Sequence, residues 1–141
     1  MTEEAETKKP SRVVDEYWIY AYREKGDYPK PSDNCGKWLV FVSDKEVDEI
    51  WEKIRTATEE GKLGLASKVA TAKDSPLASS STRKAICIYT YDWTDRKDVI
   101  RIREELRKLG ITNKIPYKSD KDTLSGKYRQ TGHTKISKYY E

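Results

Sequence analysis

The sequence is poor in the residues that build metal sites and disulfides. It contains one histidine and two cysteines in 141 residues, so the cysteine-plus-histidine spacing of a structural zinc site is absent. Cys35 and Cys87 lie far apart, and Cys87 falls within an apolar strand pattern. Two unpaired thiols in a reducing compartment explain these residues better than a disulfide does. We expect neither a metal nor a cofactor.

Long apolar runs are also lacking. No segment approaches the about 20 apolar residues that a membrane-spanning helix needs, and the N-terminal run MTEEAETKKPS has no apolar core of a secretory signal. We interpret residues 1–13 as a disordered leader and residues 14–141 as one domain, which is long enough for a real core. The sequence thus predicts a cytoplasmic protein outside the membrane.

Neither sign of charge dominates. The net charge is +4 and no block of five like charges occurs, so the composition permits nucleic-acid or phosphate binding without requiring it. Asparagine and glutamine are rare, while lysine, glutamate and arginine are abundant, a balance typical of archaeal or other thermophilic proteins. No phosphate-binding loop, dinucleotide fingerprint or nucleophile elbow is present.

Aromatic and β-branched runs predict five strands. In the first, EYWIYAYR, the side chains of Trp18, Tyr20 and Tyr22 share one face, and the second, KWLVFV, is apolar enough for a central strand. A further short strand is predicted in the tail run KISKYY. The five ranges are 16–23, 37–42, 65–72, 85–91 and 113–118.

Two amphipathic helices are predicted between the strands. Ser43 and Glu46 match the S-x-x-E capping box at the start of the first helix, and Gly61 ends it. The second helix begins near residues 94–95 and stops at Gly110. The apolar stripes are Val47, Ile50, Trp51 and Ile54 in the first helix and Val99, Ile102, Leu106 and Leu109 in the second.

This order of elements favours an α+β fold. Strands outnumber helices, and the strands over 65–72 and 85–91 can pair as a hairpin across the serine-rich segment between them. We expect a mainly antiparallel sheet with both helices on one face. The other face is then free to carry a binding site.

Several segments together resemble a known family. GKWLVFV, VDEIWEKI, GKLG, KVATAK, ICIYTYDWTD, DVIRIREELRKLGI and IPYK, in this order, closely resemble the Bles-type family of small proteins without a settled function. The resemblance covers residues 14–141, nearly the whole chain. It implies a curved-sheet fold similar to that of the cap-binding translation initiation factor 4E.

A weaker resemblance to the cap-binding factor itself implies positions for a site. The tryptophans in YWIYAY, GKWL and DEIW match tryptophans of that fold, and we expect all three in the core. That family grips the cap triphosphate with two basic residues at the end of a strand; here these positions fall on Thr71 and Lys73. The resemblance also implies that Tyr89 occupies the position of an aromatic residue that touches the methylated base.

The sequence departs from the cap-binding factor in one segment. That family holds the base between two tryptophans on loops and reads the base edge with a glutamate. Between Arg23 and Gly36 this chain has no tryptophan, and Tyr28 is the only aromatic residue. The absence of these tryptophans predicts that the protein does not recognise a methylated cap.

The lysines of KVATAK and the aromatic residues after them are the first binding candidates. Lys68 and Lys73 are five residues apart, so an alternating strand puts them on opposite faces, and at most one faces the concave side. We predict a phosphate contact for Lys73, with a protective edge lysine as the alternative. Stacking on a base is predicted for Tyr89, Tyr91 and Trp93, although Trp93 also suits a hydrophobic staple of the second helix.

The run SGKYRQTGHTKISKYY is the most basic part of the chain. Its candidates for phosphate contact are Lys127, Arg129, Lys135 and Lys138. Such a segment can close over a phosphorylated ligand or remain a solvated tail.

An enzymatic alternative depends on His133 and Lys135. β-Elimination of phosphate from phosphothreonine needs a base that takes the α-proton and an acid that protonates the leaving phosphate. Lys135 can serve as the base and His133 as the acid, and members of the Bles-type family are sometimes described as phosphothreonine lyases. Nothing in the sequence fixes their geometry.

Taken together, these features favour a binding protein for a phosphate-bearing ligand, RNA or a nucleotide. The ligand would lie on the concave sheet face and the basic tail. A phosphate-acting enzyme and a protein-interaction module are the alternatives, and the sequence leaves the oligomeric state open.

Overall fold

The computed structural model describes residues 9–73, 83–120 and 138–141. Its strands are β1 (Trp18–Tyr22), β2 (Gly36–Ser43), β3 (Ala66–Ala70), β4 (Arg83–Thr90), β5 (Pro116–Ser119) and β6 (Tyr139–Tyr140), its helices are α1 (Val47–Glu59) and α2 (Arg96–Lys108), and a 3-10 helix spans Pro10–Arg12. The strands of these residues form one sheet in the order β1-β3-β4-β2-β5-β6, with every neighbouring pair antiparallel. The predicted α+β fold is confirmed.

Strand β2 lies inside the sheet, as its apolar sequence predicts. It pairs with β4 along its whole length, from Gly36 opposite Thr90 to Ser43 opposite Arg83, and with β5 on its other side. Strands β3 and β4 pair antiparallel, as the hairpin prediction requires. Residues 74–82, between them, lie outside the described residues.

Both helices pack on one face of the sheet, where the core forms. The indole Nε1 of Trp38 on β2 donates to the carbonyl of Val99 on α2 at 3.0 Å, and the hydroxyls of Thr58 on α1 and Ser67 on β3 lie 2.8 Å apart. The predicted stripes of both helices supply most of the buried helical residues. No helix in the described part of the chain is long and apolar enough to cross a membrane.

The predicted capping box at the start of α1 is wrong. Ser43 is the last residue of β2, where pairing with Arg83 holds it extended, and α1 begins only at Val47. The amide of Glu46 donates to the carbonyl of Ser43 at 3.1 Å, so residues 43–46 form a turn. Glu46 is the N-cap residue, and its side chain makes no cap bond.

Helix α2 begins as predicted. Asp95 is its N-cap, and its carboxylate accepts from the amide of Asp98 at 3.3 Å. Gly110 follows the helix with φ of +101°, a left-handed conformation that favours glycine.

A charged residue of α2 lies in the core. Arg103 is fully buried, and its guanidinium donates to the carbonyls of Glu141, Ile111 and Asn113 at 2.6, 2.9 and 2.7 Å. Burial lowers the pKa of this guanidinium. Three carbonyls therefore replace the water that the charge loses on folding.

The segment before β1 contacts α1. Pro10 is buried in the 3-10 helix, and the amide of Ser11 donates to Asp48 of α1 at 2.9 Å. A segment this short and polar has no hydrophobic periodicity that would predict its contact with α1. Residues 1–8 lie outside the described residues.

Candidate functional site

The second face of the sheet carries no helix among the described residues, and we call it the helix-free face. Residues paired across neighbouring strands point to the same side. Lys68 pairs with Tyr20 and with Cys87, and Cys87 pairs with Leu39, so these four side chains share this face.

Every charged residue within the strands of the described chain is basic. These residues are Lys37, Lys68, Arg83, Lys84 and Lys118. The registers place all of them except Lys84 on the helix-free face, while Lys84 pairs with Val42 of the core. The strands thus give the helix-free face a single sign of charge.

Lys68 lies among three aromatic rings, and we call these four residues the Lys68 cluster. The Nζ of Lys68 is 4.0 Å from the ring centre of Trp18 and 6.0 Å from those of Tyr20 and Tyr89. The adjacent strands β1, β3 and β4 supply the group. Within the described residues, Lys68 forms no salt bridge.

Two titratable groups beside Lys68, those of Tyr89 and Cys87, are neutral at physiological pH. Burial raises the pKa of the Tyr89 hydroxyl and of the Cys87 thiol, and for Cys87 the charges of Lys68 and Lys37 oppose that rise. Tyr89 therefore keeps its proton and can donate a hydrogen bond. Cys87 is a protonated thiol, which is a poor nucleophile.

A hydrogen-bonded group adjoins the Lys68 cluster. Lys37 is directly opposite Tyr89 in the sheet, and its Nζ lies 2.8 Å from Oδ1 of Asp120. The Sγ of Cys35 donates to the other oxygen of Asp120 at 3.2 Å. Burial and the Asp120 carboxylate raise the pKa of Cys35, so this arrangement does not activate the thiol.

Exposure differs across the helix-free face. Leu39 and Cys87 are 8% and 5% exposed, whereas Tyr20 and Tyr22 on β1 are 50% and 60% exposed, and Phe41 on β2 is 45% exposed. The two exposed tyrosines come from the strand at the sheet edge. The exposed aromatic surface of this face therefore lies mainly along β1.

The structure does not place Lys73 in the Lys68 cluster. Lys73 lies beyond the end of β3, with its Nζ 4.4 Å from the ring centre of Tyr17. Val69 and Thr71, which share its parity in the sequence, are buried. Lys68 is thus the lysine of KVATAK that faces the helix-free side, and the phosphate role of Lys73 stays a prediction.

Tyr91 lies beyond the end of β4 and is held at the start of α2. Its hydroxyl donates to Asp95, and this bond raises the pKa of Tyr91 to about 12. Its ring meets that of Tyr28 edge-on, with the ring centres 5.5 Å apart. Strand alternation predicts that Tyr89 and Tyr91 share a face, but the strand ends at Thr90 and Tyr91 does not share the surroundings of Tyr89.

Trp93 is brought together with Lys138. The Nζ of Lys138 lies 4.3 Å from the ring centre of Trp93, and the hydroxyl of Tyr139 donates to the carbonyl of Trp93 at 2.7 Å. Trp93 also packs against the core, which agrees with its structural alternative. Base stacking by Tyr91 and Trp93 and a phosphate contact by Lys138 stay predictions.

Most candidates in the basic tail lie outside the described residues. These are Lys127, Arg129, His133 and Lys135. Their phosphate contacts, and elimination chemistry by His133 and Lys135, stay predictions.

Tyr28, the aromatic residue in the segment where the cap-binding factor has a tryptophan, is engaged elsewhere. Its hydroxyl donates to Asp98 of α2 at 2.5 Å and accepts from the amide of Tyr91 at 3.1 Å. The guanidinium of Arg23 lies 4.9 Å from its ring centre. Tyr28 is therefore anchored beside α2 and does not replace a sandwiching tryptophan.

Sequence reasoning missed three members of the Lys68 cluster. Trp18 was expected in the core but lies half-buried on the helix-free face, and Tyr20 and Lys68 were not chosen as site residues. The shared face of Trp18 and Tyr20 is visible in the alternation of β1. The missing information was that β1 pairs with β3, which brings Lys68 onto these rings.

Solved structures share this fold. Schistosome eIF4E complexed with m7GpppA and 4E-BP has a TM-score of 0.66 at 13% identity, covering 97% of this chain and 76% of that chain. Schistosome eIF4E with m7GpppG and 4E-BP has a TM-score of 0.64 at 15% identity over the same shares. C. elegans eIF4E-3, complexed with the 4E-binding protein Mextli and a cap analog, scores 0.56 at 23% identity, covering 77% of this chain and 65% of that chain. At these identities the likeness shows the fold alone.

The family model for basophilic leukemia-expressed protein Bles03 matches residues 32–124. The matched segment is more than half of the 141 residues and contains β2 to β5 and both helices. It also contains Lys68 and Tyr89 of the Lys68 cluster, while Trp18 and Tyr20 precede it. The chain belongs to the Bles03 family and has the fold of the initiation factor eIF4E.

Proposed function

We propose that the protein binds a nucleotide, free or within RNA, on its helix-free face. A phosphate lies against Lys68, and a base stacks on the rings of the Lys68 cluster. The observation that supports this proposal is the cluster itself, which combines one ammonium with three aromatic rings on a face where all strand charges are basic.

The charge of this face favours an anionic ligand. A surface lined by one sign of charge raises the local concentration of counterions and steers them to the site. Lys68 forms no salt bridge within the described residues, so a phosphate would be its ionic partner. Its contact with the rings is worth about 0.5–1 kcal/mol when exposed, less than the about 1.5–3 kcal/mol of a hydrogen bond to a charged group. The flexible lysine stem can therefore turn the ammonium from the rings to a phosphate.

The rings then become available for a base. When the ammonium moves from its position 4.0 Å above Trp18, that ring face is open to stacking, which contributes about 1–3 kcal/mol per base. The neutral hydroxyl of Tyr89 can donate to the base or to a phosphate oxygen.

The neighbouring folds support a nucleotide ligand but not the same mode of recognition. The eIF4E structures hold cap nucleotides. In this chain Tyr28 is anchored to Asp98, so a sandwich by the β1–β2 segment is absent. We expect no preference for 7-methylguanine over guanine. Lys73 and the tail cations Lys127, Arg129, Lys135 and Lys138 extend the same proposal as further phosphate contacts.

Charge reversal at Lys68 tests the proposal. We expect Lys68→Glu to weaken binding of a fluorescently labelled guanosine or adenosine triphosphate by at least about tenfold at low salt, because an attraction becomes a repulsion of about 1 kcal/mol or more each. Fluorescence anisotropy measures the affinity. The affinity of the native protein should fall as the salt concentration rises. Lys53→Glu is the matched control, because Lys53 is a half-exposed lysine of α1 paired with Glu49 on the helix side.

Three outcomes would contradict the proposal. The first is that the native protein binds neither nucleotide at low salt. The second is that Lys68→Glu and Lys53→Glu bind equally well. The third is that binding is unchanged by salt, which would exclude a phosphate contact as its source.

A further inference from the structure

An aromatic row continues from the Lys68 cluster along the edge of the sheet. Trp18, Tyr20 and Tyr22 point to the helix-free face at every second position of β1, which spaces them by about 6.6 Å. The rings of Tyr20 and Tyr22 have centres 6.1 Å apart and planes within 6° of parallel. Strand β1 is the first strand of the sheet in the described part of the chain.

The exposure of this row is not explained by the fold. Tyr20 and Tyr22 are 50% and 60% exposed, so neither ring contributes much to the core. An edge strand is usually protected by charges or proline, and β1 contains neither. Exposed aromatic surface of this kind marks an interaction site, and tyrosine offers a flat face for stacking together with a polar hydroxyl.

Cations flank the row on the side of Trp18. Lys68 lies over Trp18, and Lys73 lies 4.4 Å from the ring centre of Tyr17, the residue before the strand. Neither lysine forms a salt bridge within the described residues. Parallel rings with ammonium groups beside them match a chain of bases joined by phosphates.

We propose that this row binds consecutive bases of a single-stranded nucleic acid, an inference that rests on the proposed function. The Lys68 cluster takes one nucleotide, and Tyr22 takes the base of a neighbouring nucleotide. The preferred ligand is then an oligonucleotide of about three nucleotides, because sheet-surface aromatic residues stack two or three bases. A duplex does not fit, since its bases are stacked on each other and present no free faces to the rings.

Oligonucleotides of increasing length test the inference. Fluorescence anisotropy measures the affinity of the protein for labelled oligouridylates of one, two, three and six nucleotides. It also measures the affinity for a duplex that contains the hexanucleotide. We expect affinity to rise up to about three nucleotides and then to level off. Tyr22→Ala should lower the ratio of trinucleotide to mononucleotide affinity by about 5- to 150-fold, the worth of one stacked base. That loss should be the same at two salt concentrations, because stacking involves no counterion release.

Two variants make the result specific. Tyr22→Phe keeps the ring and should keep the ratio, and it guards against a change in folding of the alanine variant. Tyr140→Ala is the matched control, because Tyr140 is 61% exposed on β6 at the other end of the sheet. It should leave the ratio unchanged.

The outcomes separate this inference from the proposed function. If the mononucleotide binds but affinity does not rise with length, the inference is overturned and the proposed function stands. The same holds if Tyr22→Ala keeps the native ratio, or if the duplex binds as tightly as the single strand. If neither nucleotide nor oligonucleotide binds, both ideas are overturned, and the row is left to a protein partner.

Discussion

Arg103 links parts of the chain that are distant in sequence. One guanidinium holds the carbonyls that follow α2, at Ile111 and Asn113, and the carbonyl of Glu141 next to β6. It also lies 5.9 Å from the ring centre of Trp38. The guanidinium presents five donors in a rigid planar fork, and each of its three nitrogens here reaches a different carbonyl.

We therefore expect Arg103→Met to destabilise the protein by about 2–4 kcal/mol. The substitution removes a costly buried charge, but it leaves three carbonyls without their donor, each at about 1–3 kcal/mol where water cannot replace it. Urea denaturation measures the free energy of unfolding. Arg107→Met is the control, because Arg107 is paired with Glu104 on the surface and should cost less than about 1 kcal/mol. Equal losses for the two variants would show that the carbonyls do not depend on Arg103.

At the scale of residues, the sequence named candidate side chains but not which of them lie together. It identified Tyr89 as a candidate, it showed that Trp18 and Tyr20 share a face, and it assigned a phosphate contact to Lys73, which stays a prediction. The choice between Lys68 and Lys73 depends on which face of β3 the helices cover. That is settled by packing across the sheet, which alternation within one strand does not contain.

The two helices begin in different ways, although both follow a strand and a polar residue. Asp95 caps α2 with its carboxylate, whereas Ser43 remains in β2, and Glu46 occupies the N-cap of α1 without a side-chain bond to a helix amide. Local sequence patterns name a suitable capping residue. They do not show that pairing with β4 retains Ser43 in the sheet.

This contrast predicts unequal effects of two alanine substitutions. Asp95→Ala should reduce the free energy of unfolding by about 0.5–2 kcal/mol, because it removes a cap, whereas Ser43→Ala should cost less than about 0.5 kcal/mol, as surface substitutions usually do. Thermal or urea unfolding of both variants provides the comparison. A larger loss for Ser43→Ala would mean that the capping box forms after all.

Helices and central strands were the elements that the sequence predicted well. The apolar stripes of α1 and α2 and the apolar run of β2 are long and regular. Their burial therefore follows from the local pattern of apolar residues. The 3-10 helix at Pro10–Arg12 was missed because its docking depends on partners distant in sequence, the carboxylate of Asp48 and the amide of Ala72.

For the molecule as a whole, buried tyrosines link stability to alkaline pH. Tyr117 is fully buried, with its hydroxyl 2.5 Å from that of Thr90, and burial raises the pKa of Tyr117. The folded state thus holds the proton more tightly than the unfolded state. The stabilisation is complete below the unfolded pKa of about 10 and is lost as pH rises above it.

We expect the free energy of unfolding to fall above about pH 10 by about 1.4 kcal/mol per pH unit for each such tyrosine. Urea titrations at several pH values measure this slope. Tyr117→Phe should make the decline shallower by one such increment, whatever its effect at neutral pH. An unchanged slope would show that Tyr117 does not titrate with unfolding.

The type of sheet was predictable from the sequence, but the pairing of its strands was only partly predictable. The order of strands and helices favoured an antiparallel sheet covered on one face, and the hairpin of β3 with β4 followed from their closeness in the chain. The pairing of β1 with β3, across the whole of β2 and α1, carries no local signal. This pairing creates the candidate site.

The single sign of charge in the strands also has a consequence for folding. Lys37 and Lys118 are directly opposite each other on β2 and β5, and like charges in that arrangement repel. The carboxylate of Asp120, 2.8 Å from the Nζ of Lys37, offsets this repulsion. If the proposed anionic ligand binds this face, its binding stabilises the folded state through mass action, so occupancy and folding would reinforce each other.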